Sequence, residues 1–223
     1  GKKVIKHIQT IEVNNLDFVL DKRVILKNFS YKFRRGNIYG ITGENGAGKS
    51  TLMNIITGMY WIPEAPIFIN GVPIVKCDLG KMRRTSYGIL EQEPILLEES
   101  IKDNMFLGGE DKSGSQKFID ITKLLGLDVF LKKLPNGLET IINENAMNLS
   151  GGEKQKLSLL RILLKDSEVL ILDEPASALD TDSREQLYNY LNTIKRNSII
   201  FIVTHDDKIT DKVDHIINLS KNA

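Results

Sequence analysis

The sequence predicts an α/β fold in which a mainly parallel sheet carries the functional residues at one edge. Three short segments, the aliphatic runs, consist almost entirely of apolar residues. This composition is typical of strands that are buried on both faces of a parallel sheet. The runs occupy residues 38–41, 169–172 and 199–203. Each is followed within two residues by Gly43, Asp173 and His205, respectively. Because ligands of open α/β sheets bind outside the carboxyl ends of the strands, we expect these endings to face one crevice.

The first part of the chain has a different pattern. Residues 11–18 and 28–33 alternate apolar and polar positions, which predicts half-exposed antiparallel strands. From about residue 94 to 156 the sequence is more polar and helical. Apolar residues from Phe118 to Leu125 suit an amphipathic helix, and Gly126 is typical of a helix end. We therefore expect a single domain, 1–223, with a core of residues 1–93 and 157–223 and a helical subdomain of residues 94–156.

The composition narrows the functional classes. Lysine and arginine total 30 against 29 acidic residues, so the formal net charge of +1 lacks the basic excess of nucleic-acid-binding proteins. Cys77 is the only cysteine, which excludes an intrachain disulfide framework. No run approaches the ~18 apolar residues of a membrane span, and the N-terminus has no signal-peptide pattern. We expect a soluble, cytosol-facing domain without a nucleic-acid partner.

Residues 43–50 match the pattern G-x-x-x-x-G-K-[ST] of a phosphate-binding loop. Glycines let the backbone fold around an anion, and the N-terminus of the following helix adds partial positive charge. We expect Lys49 to reach the β- and γ-phosphates and Ser50 to ligate Mg²⁺. The predicted nucleotide contacts are Gly43, Glu44, Asn45, Gly46, Ala47, Gly48, Lys49, Ser50 and Thr51. The alternative is a glycine-rich turn, but the strand before the loop and the apolar helix after it favour nucleotide binding.

Two acidic residues, Asp173 and Glu174, end the second aliphatic run. In the alternative interpretation they are a solvated pair at a strand end. Phosphoryl transfer depends mainly on positioning and charge neutralisation, so a carboxylate pair at the expected crevice suits that chemistry.

A second anion site is indicated by the segment Leu149-Ser150-Gly151-Gly152-Glu153. It precedes residues 154–165, where Leu157, Leu160 and Leu164 repeat at helical spacing. The serine and the two glycines would then lie at a helix N-terminus, where anions bind. The alternative is an ordinary helix cap made by a serine and a downstream acid, and such a cap does not need two glycines.

Together these segments resemble the ATPase domain of ABC transporters over nearly the whole chain, with residues 149–153 as the family's signature motif. The resemblance implies a P-loop NTPase (RecA-like) core with an N-terminal antiparallel β-subdomain and an inserted α-helical subdomain. It implies ATP and Mg²⁺ as cofactors, with Asp173 holding the metal through water and Glu174 as the general base. By the same resemblance, His205 is the switch histidine at the γ-phosphate. Gln92 is the Q-loop glutamine that contacts Mg²⁺ or the lytic water.

In that family two ATPase domains dock head to tail. The resemblance therefore implies that the signature residues of one chain, Ser150, Gly151 and Gly152, lie at the ATP that the other chain holds. Ser150 and Gly152 would contact its γ-phosphate. Residues 177–180 resemble the D-loop that lines this contact. The expected partner is a second ATPase domain, either identical or related.

Residues 134–140, followed by Glu144, resemble exporter-type ABC ATPases. In these proteins the segment around Glu144 is the X-loop, which meets the coupling helices of a membrane domain. The sequence is most similar to peptide, bacteriocin or lipid exporters whose ATPase domain is fused behind six membrane helices. The resemblance thus implies ATP-driven export, with a transmembrane domain as partner and a location at the cytoplasmic face of a membrane.

Two other functions stay open at this point. A soluble ABC ATPase of the translation or DNA-repair type generally has tandem ATPase domains, a coiled-coil insertion or zinc-binding cysteines, which this chain lacks. A non-hydrolysing regulatory module is disfavoured because Glu174 and His205 are both present. One departure concerns the base: Leu20 stands where the family usually stacks an aromatic ring on adenine, with Phe18 two positions away. Leucine lacks the stacking contribution, so we expect base binding that is weaker or less selective.

Overall fold

Two sheets are formed by the nine strands found in the residues that the structure, a computed structural model, describes: 2–60, 62–63, 66–107, 109–205 and 207–219. The strands are β1 (Thr10–Leu20), β2 (Arg23–Arg34), β3 (Ile38–Thr42), β4 (Ile67–Ile69), β5 (Val72–Pro73), β6 (Tyr87–Leu90), β7 (Val169–Asp173), β8 (Ile199–Val203) and β9 (His215–Asn218). One sheet has the strand order β6-β7-β8-β3-β9, and the other has the order β2-β1-β4-β5.

The five-stranded sheet contains the three aliphatic runs as β3, β7 and β8. These strands are parallel, and all five residues of β8 are buried. The register aligns Ile41 of β3 and Asp173 of β7 with Val203 at the end of β8. The carboxyl ends of the three strands therefore lie side by side, as the buried pattern of each run predicts. The α/β fold expected from the sequence is confirmed.

The antiparallel sheet is built on the hairpin of β1 and β2. Leu20 pairs with Arg23 across a two-residue turn, in which Asp21 and Lys22 both have positive φ values, 48° and 65°. Such a turn matches the twist of the flanking strands. Buried residues of β1, such as Ile11 and Val13, alternate with more exposed ones. The predicted half-exposed antiparallel strands are thus present.

Seven α-helices lie in the described part of the chain. They are α1 (Lys49–Ile56), α2 (Leu79–Thr85), α3 (Ile101–Phe106), α4 (Gln116–Leu124), α5 (Leu127–Lys133), α6 (Gly151–Leu164) and α7 (Thr181–Ile194). Short 3₁₀ turns cover residues 74–76, 137–139, 144–146, 195–197 and 207–212. None of the described helices has the length and apolar character needed to cross a membrane.

The chain divides into two compact units. Unit 1 comprises Gly1–Ile89, Ser167–Glu174 and Leu191–Ala223, and unit 2 comprises Leu90–Asp166 and Pro175–Tyr190. Unit 2 thus includes the segment 94–156 that the sequence assigns to a helical subdomain, and it extends beyond it on both sides. The predicted domain boundaries stay a prediction.

An aromatic cluster forms part of the core of unit 1. Phe33 of β2 packs edge-on against Tyr39 of β3 and Phe201 of β8, with ring centroids 5.1 and 4.8 Å apart. All three side chains are at most 1% exposed. The cluster therefore joins the hairpin to the strands that lead into the candidate site. Edge-on aromatic pairs stabilise a fold by more than the burial of their apolar surface alone.

Within unit 2, helix α4 ends as the sequence predicts. Its first turn is capped by the Ser115 side chain, and Gly126 has a φ of 64° just beyond its end. Helix α6 begins with a capping box in which Ser150 and Glu153 bind each other's backbone N–H groups. This arrangement supplies partners for N–H groups that a helix terminus otherwise leaves without one.

Candidate functional site

The predicted phosphate loop connects β3 to α1 in unit 1. Gly43, Gly46 and Gly48 have φ values of 137°, 80° and 95°, a region that favours glycine. A Cβ atom on Gly43 would lie 2.1 Å from the carbonyl oxygen of Leu219, and one on Gly48 would lie 2.8 Å from Cγ2 of Ile25. Glycine is thus required at both positions by backbone conformation and by space.

Exposure varies along the loop. Glu44, Asn45 and Gly46 are exposed, whereas Ala47 and Gly48 are buried. Ser50 is exposed and Thr51 half-buried in the first turn of α1. The crest of the loop is therefore open to solvent, and its base is packed against the protein.

Lys49 lies inside the loop and is only 7% exposed. Its Nζ donates hydrogen bonds to the carbonyl oxygens of Gly43 and Glu44, at 2.7 and 3.0 Å. Burial lowers the pKa of Lys49, and the charges of Asp173 and Glu174 oppose that shift. The ammonium group therefore lies within electrostatic reach of both predicted carboxylates.

Asp173 is the last residue of β7. Burial raises the pKa of its carboxyl group, and the neighbouring charge of Glu174 adds to the shift. Lys49 and His205 oppose it. The charges of Lys49, Glu174 and His205 thus all act on Asp173 at the carboxyl end of β7.

Glu174 is bound to the end of β8 through both backbone and side chain. Its N–H donates to the carbonyl oxygen of Val203 at 2.9 Å. Its carboxylate accepts from the Thr204 hydroxyl at 3.0 Å and from the His205 N–H at 2.8 Å. The structure therefore brings Glu174 and His205 into direct contact, as the order of the runs predicts.

The sequence did not identify Thr204 as part of the site. The available signal was its place between a buried strand and His205. The partner of its hydroxyl follows only from the register of β7 against β8. A side-chain contact of this kind has no periodic signature in the sequence.

Gln92 and the segment 149–153 lie in unit 2. Gln92 is exposed in the segment that follows β6. The Ser150 N–H and hydroxyl both donate to Oε2 of Glu153, at 2.7 and 2.8 Å, so the helix cap that was the alternative interpretation of this segment is present. A Cβ on Gly151 would meet nothing within 4 Å, and one on Gly152 would lie 3.8 Å from Cβ of Ala178. Because the cap leaves space beside both glycines, it does not by itself explain why they are present.

A second contact in unit 2 joins helix α6 to the segment 177–180. Gln155 donates from Nε2 to Oγ of Ser177 at 2.7 Å, and that hydroxyl lies 2.9 Å from Oε1 of the same glutamine. The segment with the signature motif and the segment that resembles a D-loop are therefore linked by side chains. Sequence reasoning missed Gln155 because its partner is 22 residues away.

Leu20, the predicted adenine contact, is half-buried at the end of β1 in unit 1. Phe18, on the same side of the strand, packs its ring against that of Tyr60 with centroids 5.5 Å apart. The ring of Phe18 thus already has an aromatic neighbour. The role of Leu20 stays a prediction.

Comparison with known proteins agrees with these features. A family model described as ABC transporter matches residues 26–177. The ATP-dependent lipid A-core flippase of Mannheimia succiniciproducens is 34% identical over 192 residues, which cover 86% of this chain and 33% of the flippase. A putative export ATP-binding/permease protein of Rickettsia typhi is 34% identical over 215 residues, or 95% of this chain and 37% of that protein.

A solved structure is similar over almost the whole chain. It is the structure of a bacterial Atm1-family ABC exporter with ATP bound, and it matches with a TM-score of 0.85 and 28% sequence identity. The match covers 98% of this chain and 38% of that one. The chain thus spans about a third of the length of the curated relatives, 33% and 37% in the two cases above.

Proposed function

This chain belongs to the ABC transporter family as an ATP-binding, ATP-hydrolysing domain, and we propose on that premise that it drives export across a membrane. The observation that carries the proposal is the meeting of Lys49, Asp173, Glu174 and His205 at the carboxyl ends of three parallel strands. In this arrangement a buried cation, a pair of carboxylates and an exposed imidazole surround the loop that suits phosphate.

The residues present fit Mg²⁺ as well as phosphate. Mg²⁺ is typically held by one or two carboxylates together with substrate phosphates and water, and it does not need a cluster of protein ligands. Among the described residues, no group of three or more His, Cys, Asp or Glu side chains could hold a metal. Ser50, Asp173 and Gln92 would hold the ion with the phosphates. When bound, it would neutralise charge on the transferring phosphoryl group.

The chain's own residues would then divide the chemistry among them. Lys49 binds the β- and γ-phosphates, and backbone N–H groups of residues 43–51 surround them. Glu174 accepts a hydrogen bond from the attacking water and takes its proton. His205, held beside Glu174 through its backbone N–H, contacts the γ-phosphate. Leu20 offers an apolar contact to the base.

The site is proposed to be completed by a second ATPase domain docked head to tail. Ser150, Gly151 and Gly152 begin α6, and the partial positive charge of a helix N-terminus suits a γ-phosphate. In this proposal the three residues act on ATP bound by the partner. This chain is similar to a solved ABC exporter with ATP bound, which supports ATP as the ligand of the proposed site.

Export is favoured over a soluble ABC function by the two relatives above, a lipid A-core flippase and an export ATP-binding/permease protein. Because each relative is more than twice as long as this chain, we propose that a transmembrane domain is its further partner. The domain would act at the cytoplasmic face of the membrane.

The test replaces the proposed base. We expect Glu174→Gln to lower ATP turnover by at least about 100-fold, the usual contribution of a general base. ATP binding should persist, and the variant should form a dimer in saturating ATP because the nucleotide is not consumed. Phosphate release and size-exclusion chromatography with and without ATP measure the two effects.

The matched control is Glu98→Gln, which removes an exposed carboxylate of unit 2. It should behave as the unaltered chain does. Turnover retained in Glu174→Gln would refute the role of Glu174. A monomer at saturating ATP would contradict the paired arrangement.

A further inference from the structure

Thr204 is the residue between β8 and His205, and its side chain is almost fully buried. It is 3% exposed, and its hydroxyl donates to Oε2 of Glu174 at 3.0 Å. The other carboxylate oxygen, Oε1, accepts from the His205 N–H. Each oxygen of the carboxylate is therefore bound by one of two consecutive residues. Two such bonds fix the plane of a carboxylate as well as its position.

The backbone around Thr204 links this contact to the phosphate loop. The Thr204 N–H donates to the carbonyl oxygen of Ile41 in β3 at 3.2 Å. Ile41 is two residues before Gly43, where the loop begins. The donor that orients Glu174 is thus anchored on the strand that supports the predicted phosphate site.

Glu174 also has a backbone conformation that requires support. Its φ is 46°, in the left-handed region, which is uncommon for a residue other than glycine. Such conformations persist where the surrounding structure holds them, and they are concentrated at functional sites. Here the supporting bonds come from Val203, Thr204 and His205 in sequence. The end of β8 therefore holds Glu174 in one orientation.

We propose that Thr204 is a positioning residue, whose hydroxyl orients the Glu174 carboxylate toward the attacking water. This inference rests on the proposed function, in which Glu174 is the general base. Without the hydroxyl, Oε2 loses the donor that helps to fix the plane of the carboxylate, so the carboxylate is less constrained in orientation. Because a misplacement of about 1 Å can cost about 100-fold in rate, loss of orientation should lower kcat while ATP binding is unchanged.

The experiment compares Thr204→Val, which replaces the hydroxyl by a methyl group of similar size, with Thr204→Ser, which keeps the hydroxyl. Steady-state ATP hydrolysis by the 223-residue chain gives kcat and KM for each variant, and thermal melting reports folding. We expect Thr204→Val to lower kcat by about tenfold or more with KM within about twofold. Thr204→Ser should stay within about threefold of the unaltered kcat.

Each outcome decides the proposal. An unchanged kcat in Thr204→Val, or an equal loss in the Ser and Val variants, would overturn it. If Thr204→Val does not fold, Thr204→Ala is the second variant without a hydroxyl. It must show the same loss of kcat without a change in KM. An unaltered chain without any ATP turnover would instead refute the proposed function, so the two failures are distinguishable.

Discussion

Lys49 shows how single residues set the electrostatics of the site. A buried ammonium group is costly unless opposite charges and hydrogen bonds compensate for lost hydration. The loop carbonyls of Gly43 and Glu44 provide the hydrogen bonds, and Asp173 and Glu174 provide the charge. The cation is therefore held at the base of the loop by two loop carbonyls and by the charges of two carboxylates.

Leu20 is the residue at which base recognition can be tested. We expect Leu20→Tyr to tighten ATP binding by about 3- to 10-fold, because a ring stacked on adenine contributes roughly 0.5–1.5 kcal/mol. Leu20 is half-buried at the end of β1, and Phe18 is already packed on Tyr60, so neither residue supplies a free ring. Calorimetric titration with ATP measures the affinity.

Val19→Tyr is the matched control for Leu20→Tyr. Val19 is 57% exposed and faces the opposite side of the strand, so an added ring there should leave the affinity unchanged. Equal affinities for Leu20→Tyr and the unaltered chain would show that adenine does not lie against this position.

At the level of helices and strands, local signals predicted most of what the structure contains. Burial on both faces marks the parallel strands, alternation marks the antiparallel strands β1 and β2, and a capping pattern marks the start of α6. The phosphate loop is likewise contiguous. The Thr204–Glu174 and Gln155–Ser177 contacts left no such pattern, because their partners are 30 and 22 residues apart. Only strand register and helix placement bring them together.

The start of β3 depends on one carboxylate outside the site. Asp214 accepts hydrogen bonds from the Ile38 N–H at 2.7 Å and from Lys195 Nζ at 2.6 Å. Burial alone would raise the pKa of Asp214, but these bonds and the lysine charge outweigh it, so the pKa lies below its ordinary value. Asp214 therefore stabilises the fold above about pH 4, the ordinary aspartate range. The contribution is lost as the pH falls through the lowered pKa.

We expect Asp214→Asn to lower the melting temperature at pH 7 by roughly 2–4 °C, which corresponds to about 1 kcal/mol in a domain of this size. The difference from the unaltered chain should shrink below about pH 4, as the carboxyl group of the unfolded chain takes up its proton, until the native carboxyl group does so at its lowered pKa. Thermal melts at several pH values measure it. Asp166→Asn is the control, because the ion pair of Asp166 with Lys117 is mostly exposed, with Asp166 98% accessible. A pH-independent difference at Asp214 would contradict the electrostatic explanation.

At the level of the whole molecule, the two candidate anion sites lie in different units. The phosphate loop belongs to unit 1, and the start of α6 belongs to unit 2. In a head-to-tail pair, each ATP would be held by the loop of one chain and the signature residues of the other. A pair of identical chains then has two equivalent sites, each assembled from both chains. A substitution that disables the ATP site of unit 1 and one that disables the signature residues of unit 2 can therefore be placed on separate chains.

This separation gives a prediction for mixed dimers. Glu174→Gln removes the proposed base, and Gly151→Asp places a carboxylate where the partner's γ-phosphate would lie. Gly151 has open space around its Cβ direction, and an acid in the first helical turn is stabilising, so the second variant should fold. Each variant alone should be inactive. Mixed before ATP is added, they should regain turnover, because one site of each mixed dimer has neither defect.

The expected recovery is about a quarter of the unaltered rate. With random pairing, about half of the dimers are mixed, and each mixed dimer has one intact site of two. Phosphate release from equal mixtures measures it, and Gly151→Ala serves as the uncharged control, which should hydrolyse ATP by itself. No recovery in mixtures of folded, dimerising variants would mean that Gly151 acts on the ATP of its own chain. Recovery requires that the signature segment act across the interface, since no chain in the mixture carries both intact functions.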